Sequence, residues 1–270
     1  MHVVQAPLGP ATPMCQPGSA DFGLEPVEAG SPNNQLLAAL ATADRQRWSS
    51  QLELVEMPYG QVLYESGRSV NHVYFPTSSI VSLINLTANG ACIEVATVGN
   101  DGVVGVPLLM GGVSTNSRAV VQSAGQGYRM KGQWVIDEIN RGGAVMQLLL
   151  HYTQGLLTQM AQTATCNRHH SIGQQVCRLI LLSLDRVQGN NLQMTHELLA
   201  CRLGVRRETV TAVALALQQA GLIRYARGRV EVLDRAGLEE RACECYGVVK
   251  VECDRLLRLA QARPAVPWTS

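Results

Sequence analysis

The stretch "LGVRRETVTAV" at 203–213 holds the densest group of side chains able to read another molecule. Arg206, Arg207, Glu208, Thr209 and Thr211 follow Gly204 and lead into an apolar, helix-spaced run. An arginine can bond guanine through two N–H groups, a glutamate can accept from cytosine N4, and a threonine suits a phosphate or a thymine methyl. Charge at a helix start is also ordinary on a solvated surface. Two arginines there, however, oppose the positive end of the helix dipole, and a bound polyanion would relieve that conflict. Arg224, Arg227 and Arg229 follow within "LIRYARGRVEVL" and suit phosphate contacts, which position without specifying.

Other chemistries find less support. Eight cysteines are scattered along the chain and no C-x-x-C pair occurs, so neither a zinc ribbon nor a thioredoxin-type motif is indicated. Cys243-x-Cys245, Cys253, Cys166, His169 and His170 are the remaining candidates for metal or redox sensing. Buried cysteine commonly packs as a small hydrophobe, so no metal and no cofactor is assigned, and reduced thiols are expected. The window 52–131 holds His72, Glu53, Glu56, Glu65, Glu94 and Asp101, without H-x-H or H-E-x-x-H spacing. No catalytic residue is assigned, and the chain is not read as an enzyme.

The reading residues need elements to hold them. Thr195 is a helix N-cap candidate, with Met194 and Leu199 at the spacing of a hydrophobic staple. Leu198, Leu199 and Leu203 give the first helix an apolar face, and Gly204 suits a tight turn. The second helix spans 206–220, with Val210, Val213, Ala214 and Leu217 inward and Gly221 as its stop. Two short strands then turn at Arg227–Gly228. This is a winged helix-turn-helix, with the second helix starting where such helices meet base edges in the major groove.

Upstream, 52–131 breaks into short strand-like runs: "LELVEM", "QVLY", "HVYF", "SIVSLIN", "ACIEVAT" and "RAVVQS". Gly-rich turn signals separate them, including "AGQG" at 124–127, so an antiparallel sandwich or barrel is expected. Residues 35–50 read as a short helix on Leu36, Leu37, Leu40 and Trp48. Residues 133–167 read as helical, with Val145, Leu149, Tyr152, Leu156 and Met160 forming one apolar seam. That seam fits either burial against its own domain or pairing with a second copy. A further helix is expected at 171–187, on Ile172, Val176, Leu179, Ile180 and Leu184.

Composition bounds the rest. The 270 residues carry a net charge of +1 and 46% hydrophobic residues, as a folded protein does. Residues 168–270 hold 15 of the 22 Lys+Arg but only 10 of the 21 Asp+Glu, so the basic charge sits in the C-terminal part. Residues 1–33 hold six of the eleven prolines and read as a loosely held tail. Residues 142–167 contain no Asp, Glu, Lys or Arg, yet Gln147, Gln154, Gln159 and Gln162 make them too polar to span a membrane. With no secretory signal at the N-terminus, a cytoplasmic chain is expected.

At "GVRRETV" (204–210) the chain resembles the Crp/Fnr family of bacterial transcription regulators, whose recognition helix begins on a similar Gly, two variable residues and Arg-Glu-Thr-Val. The resemblance implies an α+β architecture. A tail (1–33) would precede an antiparallel, jelly-roll-like β-roll (34–140) and a dimerisation helix (141–168). A winged helix-turn-helix (169–240) and a C-terminal extension (241–270) would follow. It implies base reading by Arg207 and Glu208, phosphate contact by Thr209, and backbone contact by His196. With Thr195, Arg206, Thr211, Arg227 and Arg229 these make the expected DNA surface. The family's second base-reading arginine is replaced by Ala212, so a different operator is expected.

The seam at Val145, Leu149, Tyr152, Leu156 and Met160 becomes a dimer interface in this reading. The implied partners are double-stranded DNA with a palindromic operator, a second copy of the chain, and RNA polymerase, with no membrane. "VGNDGVVGVPLLMGG" (98–112) resembles the family's phosphate-binding segment, which makes Gly105, Val106, Pro107, Asn116, Ser117 and Arg118 the effector-pocket candidates. Val106 stands where a ribose-binding Glu belongs, and Asn116 where a phosphate-binding Arg belongs, with Arg118 two residues on. A cyclic AMP response is therefore not expected. The alternative is a cyclic-nucleotide-binding module acting through a protein partner.

Overall fold

The computed structural model describes residues 33–88, 91–112 and 114–262. The proline-rich tail lies outside these residues except for Pro/Asn-flanked residue 33, as does the chain beyond 262. Two helices, α1 (Gln35–Ala38) and α2 (Thr42–Ser49), stand where one was expected. Asn34 explains the anchoring of the first: its side chain accepts from the Leu37 amide and donates to the carbonyls of Pro76 and Gly102. Leu36 and Leu37 are thereby buried, while α2 restarts and sets Trp48 edge-on to Phe75 at 5.9 Å.

Seven strands follow: β1 (Glu53–Met57), β2 (Val62–Tyr64), β3 (His72–Pro76), β4 (Ile80–Leu86), β5 (Cys92–Val98), β6 (Ser117–Ser123) and β7 (Gly125–Lys131). A short α3 (Val106–Leu109) lies between β5 and β6. The strands form two antiparallel sheets, ordered β1-β7-β3 and β2-β6-β4-β5. Six of the strands match the expected runs. The seventh, β7, begins where the sequence reading has a turn. Its glycines serve close packing along a strand: a Cβ on Gly125 would lie 2.6 Å from the Ser78 backbone, and one on Gly127 2.6 Å from Met57 Sδ.

Helix α4 (Gly132–Arg141) ends at Gly142–Gly143, whose φ values of +74° and +83° break the helical run. The long α5 (Ala144–His169) then crosses the roll and buries Val145, Leu149 and Leu156 in its core. Ser171 caps α6 (Ile172–Leu184) in a reciprocal capping box with Gln174. The C-terminal part continues with β8 (Asn191–Gln193), α7 (His196–Leu203), α8 (Arg207–Gln219), β9 (Ile223–Ala226), β10 (Arg229–Val232), α9 (Arg235–Arg241) and α10 (Glu244–Ala262). Strand β8 adds a third member to the expected hairpin, in the order β8-β10-β9. No helix among the described residues is long and apolar enough to cross a membrane.

The second sheet has an unusual polar face. Ser82, Glu94, Thr97 and Gln122 come from β4, β5 and β6, and all are buried. Helix α7 covers them, and the fully buried Arg202 donates to Glu94 Oε1 at 2.8 Å and to Thr97 Oγ1 at 3.1 Å. Ser82 and Thr97 both donate to the Glu94 carboxylate. A second ion pair lies nearby: the buried Arg186 guanidinium meets Asp101 at 2.7 Å. Cys92 of β5 and Cys201 of α7 form a disulfide, where the sequence reading has reduced thiols. The fold sets their Cα atoms 5.8 Å apart, a proximity invisible across 109 residues of sequence.

Breaking a buried pair strands a charge in a poorly solvated site. Glu94→Ala is expected to cost about 3–5 kcal/mol in urea denaturation, because Arg202 then has no counter-charge. Adding Arg202→Met to that variant is expected to recover much of the loss.

Candidate nucleic-acid interface and sensor cavity

The start of α8 is built as the spacing predicts. Thr195 caps α7, its hydroxyl accepting from the Leu198 amide at 3.0 Å, and Met194 and Leu199 are both buried beneath it. Gly204 closes α7 in the left-handed conformation, at φ +64°. Arg206 occupies the N-cap position of α8 without capping it. Arg206, Arg207, Glu208, Thr209 and Thr211 are all exposed. Arg206, Arg207 and Arg227 make no ion pair among the described residues. The wing turn is tight, with positive φ at both Arg227 and Gly228. Met194 donates its amide to the Gly228 carbonyl at 2.8 Å, which holds this turn beside the start of α7. Arg229 is exposed at the start of β10, while Arg224 is paired with Glu231 at 2.8 Å.

His196 is engaged within the domain. Its ring stacks on Tyr225 at 4.2 Å, and its Nδ1 lies 3.0 Å from the Thr211 hydroxyl. Thr211 also donates to the Arg207 carbonyl at 3.0 Å. The ring thus braces α7, α8 and the wing against one another. Burial, and then the Arg207 charge, hold the imidazole below its ordinary pKa.

The expected effector segment lines a cavity of about 320 Å³ between the roll and α5. Gly105, Val106, Pro107 and Ser117 face it, together with Tyr64, Leu83, Leu156 and Leu157. No Asp, Glu, Lys or Arg is among its lining residues. Arg118 turns away and meets Glu65 at 2.8 Å. Asn116 lines a neighbouring recess with Asn85 and Asn167. Asp101 and Arg129 are likewise paired, with Arg186 and Glu53.

The α5 seam faces the chain's own core. Val145, Leu149 and Leu156 are buried there, Met160 packs against it, and Tyr152 donates to the Val103 carbonyl at 3.0 Å. The large apolar side chains left outward on α5 are Leu150 and Leu157, 53% and 55% exposed and seven residues apart. An amphipathic stripe says that something covers it, not what.

At the far end of α5, four of the six side chains named above as metal or redox candidates converge. Cys166, His170, Cys243 and Cys245 bring their ligand atoms within 4.8 Å of one another. Cys166 and His170 are i and i+4 at a helix end, a spacing that puts both on one side. The C-x-C pair at the start of α10 meets them. Burial, then the adjoining Cys243 thiol, push the Cys166 thiol up, while the Arg178 charge pulls it down. Exposed His169 and the more distant Cys253 stand apart from this group.

Comparison with known proteins finds a domain model for part of the chain and solved structures of similar fold. Residues 174–241 match the model of the Crp-like helix-turn-helix domain. Among solved structures, FixK2 from Bradyrhizobium japonicum is similar with a TM-score of 0.62 and 17% identity, over 71% of this chain and 98% of that one. A CRP-family transcriptional regulator from Thermus thermophilus gives 0.58 and 20%, over 70% and 96%. The c-di-GMP responsive global regulator CLP of Xanthomonas campestris gives 0.56 and 15%, over 71% and 99%. These likenesses carry the fold: β-roll, long helix, and helix-turn-helix with a small wing sheet. No curated protein sequence matches the chain.

The position of His196 gives a pH dependence. A folded pKa held below the unfolded value near 6.5 means that the unfolded chain binds the proton more tightly. The contribution is present above that value and is lost as pH falls through the folded pKa. Thermal melts of His196→Gln are expected to lose less stability than the parent on acidification from about pH 7.5 to about pH 5.5.

Proposed function

We propose that this chain, with a Crp-like helix-turn-helix segment on a Crp/Fnr-type fold, is a sequence-specific DNA-binding transcription regulator and not an enzyme. The observation that carries the reading is the cluster of exposed cations at the start of α8 and the wing turn. Arg206, Arg207 and Arg227 have no ion-pair partners among the described residues. The chain thus holds positive charge at the positive end of a helix, where a phosphate backbone would compensate it. Arg207 and Glu208 read base edges, Thr195, Thr209, Arg227 and Arg229 meet the backbone, and Arg206 adds a further cation. His196 and Thr211 position these groups through their bond to each other.

The regulator acts as a homodimer on a palindromic site. Leu150 and Leu157 support this, since two exposed leucines one heptad apart suit a helix that pairs with its own copy. The dimer surface is then this outward stripe, and the seam at Val145, Leu149, Tyr152, Leu156 and Met160 supports it from behind. Leu157 also lines the roll cavity, so a partner helix would lie beside the cavity mouth. The uncharged lining supports an effector other than cyclic AMP, whose phosphate would need a cation there. In this reading the chain works in the bacterial cytoplasm, with DNA, its own copy and RNA polymerase as partners.

Two measurements test the reading. Operators selected from random duplexes give the site, and anisotropy at several salt concentrations gives the affinity. Arg207→Ala is expected to lose about 1–3 kcal/mol of specific binding and to relax base preference at one position per half-site. Arg229→Ala is expected to weaken all sequences alike and to lower the salt slope by about one. If both bind the selected site as the parent does, the assignment of α8 and the wing is wrong. For the dimer, sedimentation of Leu157→Glu is expected to shift toward the monomer, with operator affinity falling alongside.

A further inference from the structure

The cysteines and histidine at the end of α5 go beyond the DNA-binding reading. The geometry points to a structural zinc site formed by Cys166, His170, Cys243 and Cys245, which pins the start of α10 to the hinge between α5 and α6. Four protein ligands fill a tetrahedral zinc shell and leave no open position for catalysis. Three thiolates and an imidazole are a donor set suited to zinc.

The distances fit. Zinc–sulfur bonds of about 2.3 Å put neighbouring sulfurs about 3.8 Å apart. Here Cys166 Sγ and Cys243 Sγ are 3.4 Å apart, Cys245 Sγ and His170 Nδ1 are 3.6 Å apart, and the whole set lies within 4.8 Å. All three cysteines are buried. His170 is oriented for ligation through Nδ1, because its Nε2 lies 3.2 Å from the Glu244 carboxylate. A ligating histidine usually gives its other N–H to such an acceptor.

The surroundings support an anionic centre. Arg178 is buried and makes no ion pair among the described residues, and its Nε has no hydrogen-bond partner there. Three thiolates around one divalent ion carry a net charge of about −1, which would compensate this arginine. The cage is also braced before any ion arrives. The buried Gln175 donates to the carbonyls of both Cys166 and His170, at 3.3 and 2.9 Å. Because His170 is the C-cap of α5 and Ser171 the N-cap of α6, the ligands straddle the junction into the DNA-binding part.

The test uses the full chain, purified under reducing conditions from zinc-supplemented cells. Elemental analysis is expected to find about one zinc per chain. After zinc removal, cobalt(II) is expected to restore the intense visible bands of a tetrahedral thiolate complex. Cys245→Ser should lose most of the metal, and Cys253→Ser, outside the set, should keep it. His170→Cys guards against a variant that merely misfolds: it should retain the metal and strengthen the thiolate-to-cobalt absorption. Hydrogen exchange at 166–171 and 243–247 should quicken when zinc is removed. These measurements use no DNA, so they stand or fall separately from the regulator reading. A reduced protein that holds no stoichiometric zinc and gives no cobalt spectrum would overturn the site. So would a Cys166–Cys243 disulfide in its place, or equal metal loss in Cys253→Ser and Cys245→Ser. Zinc binding that leaves exchange unchanged in both segments would overturn the pinning role.

Discussion

The buried pair between Arg202 and Glu94 is the constraint on which the arrangement of this protein turns. A sheet of a roll ordinarily shows its polar face to water. Here that face carries Ser82, Glu94, Thr97 and Gln122, and α7 has taken the place of the water. Removing two charges from solvent is costly, and attraction offsets the cost only when the geometry is good and the remaining lone pairs are met. Ser82 and Thr97 meet those of Glu94, whereas Nε and Nη1 of Arg202 are buried without a hydrogen-bond partner among the described residues. The pair therefore contributes less to net stability than to position: α7 fits on the sheet only where Arg202 reaches Glu94. Arg186 and Asp101 give a second fixed point, and the Cys92–Cys201 disulfide a third. Helix α8 leaves α7 through a single tight turn at Gly204, so fixing α7 fixes the direction of the exposed arginines.

The strand beside the one that accepts this anchor borders the cavity: Glu94 lies on β5, and its hydrogen-bond partner Ser82 lies on β4. Ser82 and Leu83 are neighbours on β4, and alternation sends their side chains to opposite faces. Ser82 joins the network under α7, while Leu83 lines the cavity beside α5. The cavity and the anchor thus share β4, with Leu83 on one of its faces and Ser82 on the other.

Local signals in the sequence carried the helix-turn-helix almost whole. Thr195, Met194, Leu199, Gly204 and the Arg227–Gly228 turn each act within a few residues, and each is where its chemistry requires. What escaped depends on distant partners. The stripe at Val145, Leu149 and Leu156 is apolar whether a roll or a second copy covers it. Glycines at 125 and 127 look like a turn until Ser78 and Met57 are seen against them. His196 matched a backbone-contact position, yet Tyr225, 29 residues on, claims its ring. Cys92 and Cys201, or Cys166 and Cys243, carry no mark of pairing in the sequence. The i, i+4 spacing of Cys166 and His170 was visible, but with a C-x-C pair more than 70 residues away it fitted no compact ligand pattern.

The absence of charge from 142–167 now has a structural cause. Helix α5 packs Val145, Leu149 and Leu156 into the roll and lies against α10 at Gly155, where Cys253 and Leu256 approach. Its last turn joins the cysteine group, and its outward stripe carries Leu150 and Leu157. An ordinary surface helix keeps one face for solvated charges. On α5 most positions meet protein, and the polar needs that remain are met by glutamine and threonine: Gln154 reaches Glu252, and Thr153, Thr158 and Thr163 bond carbonyls one turn back. The neutral composition of 142–167 thus accords with one helix serving the roll, the hinge and α10 together.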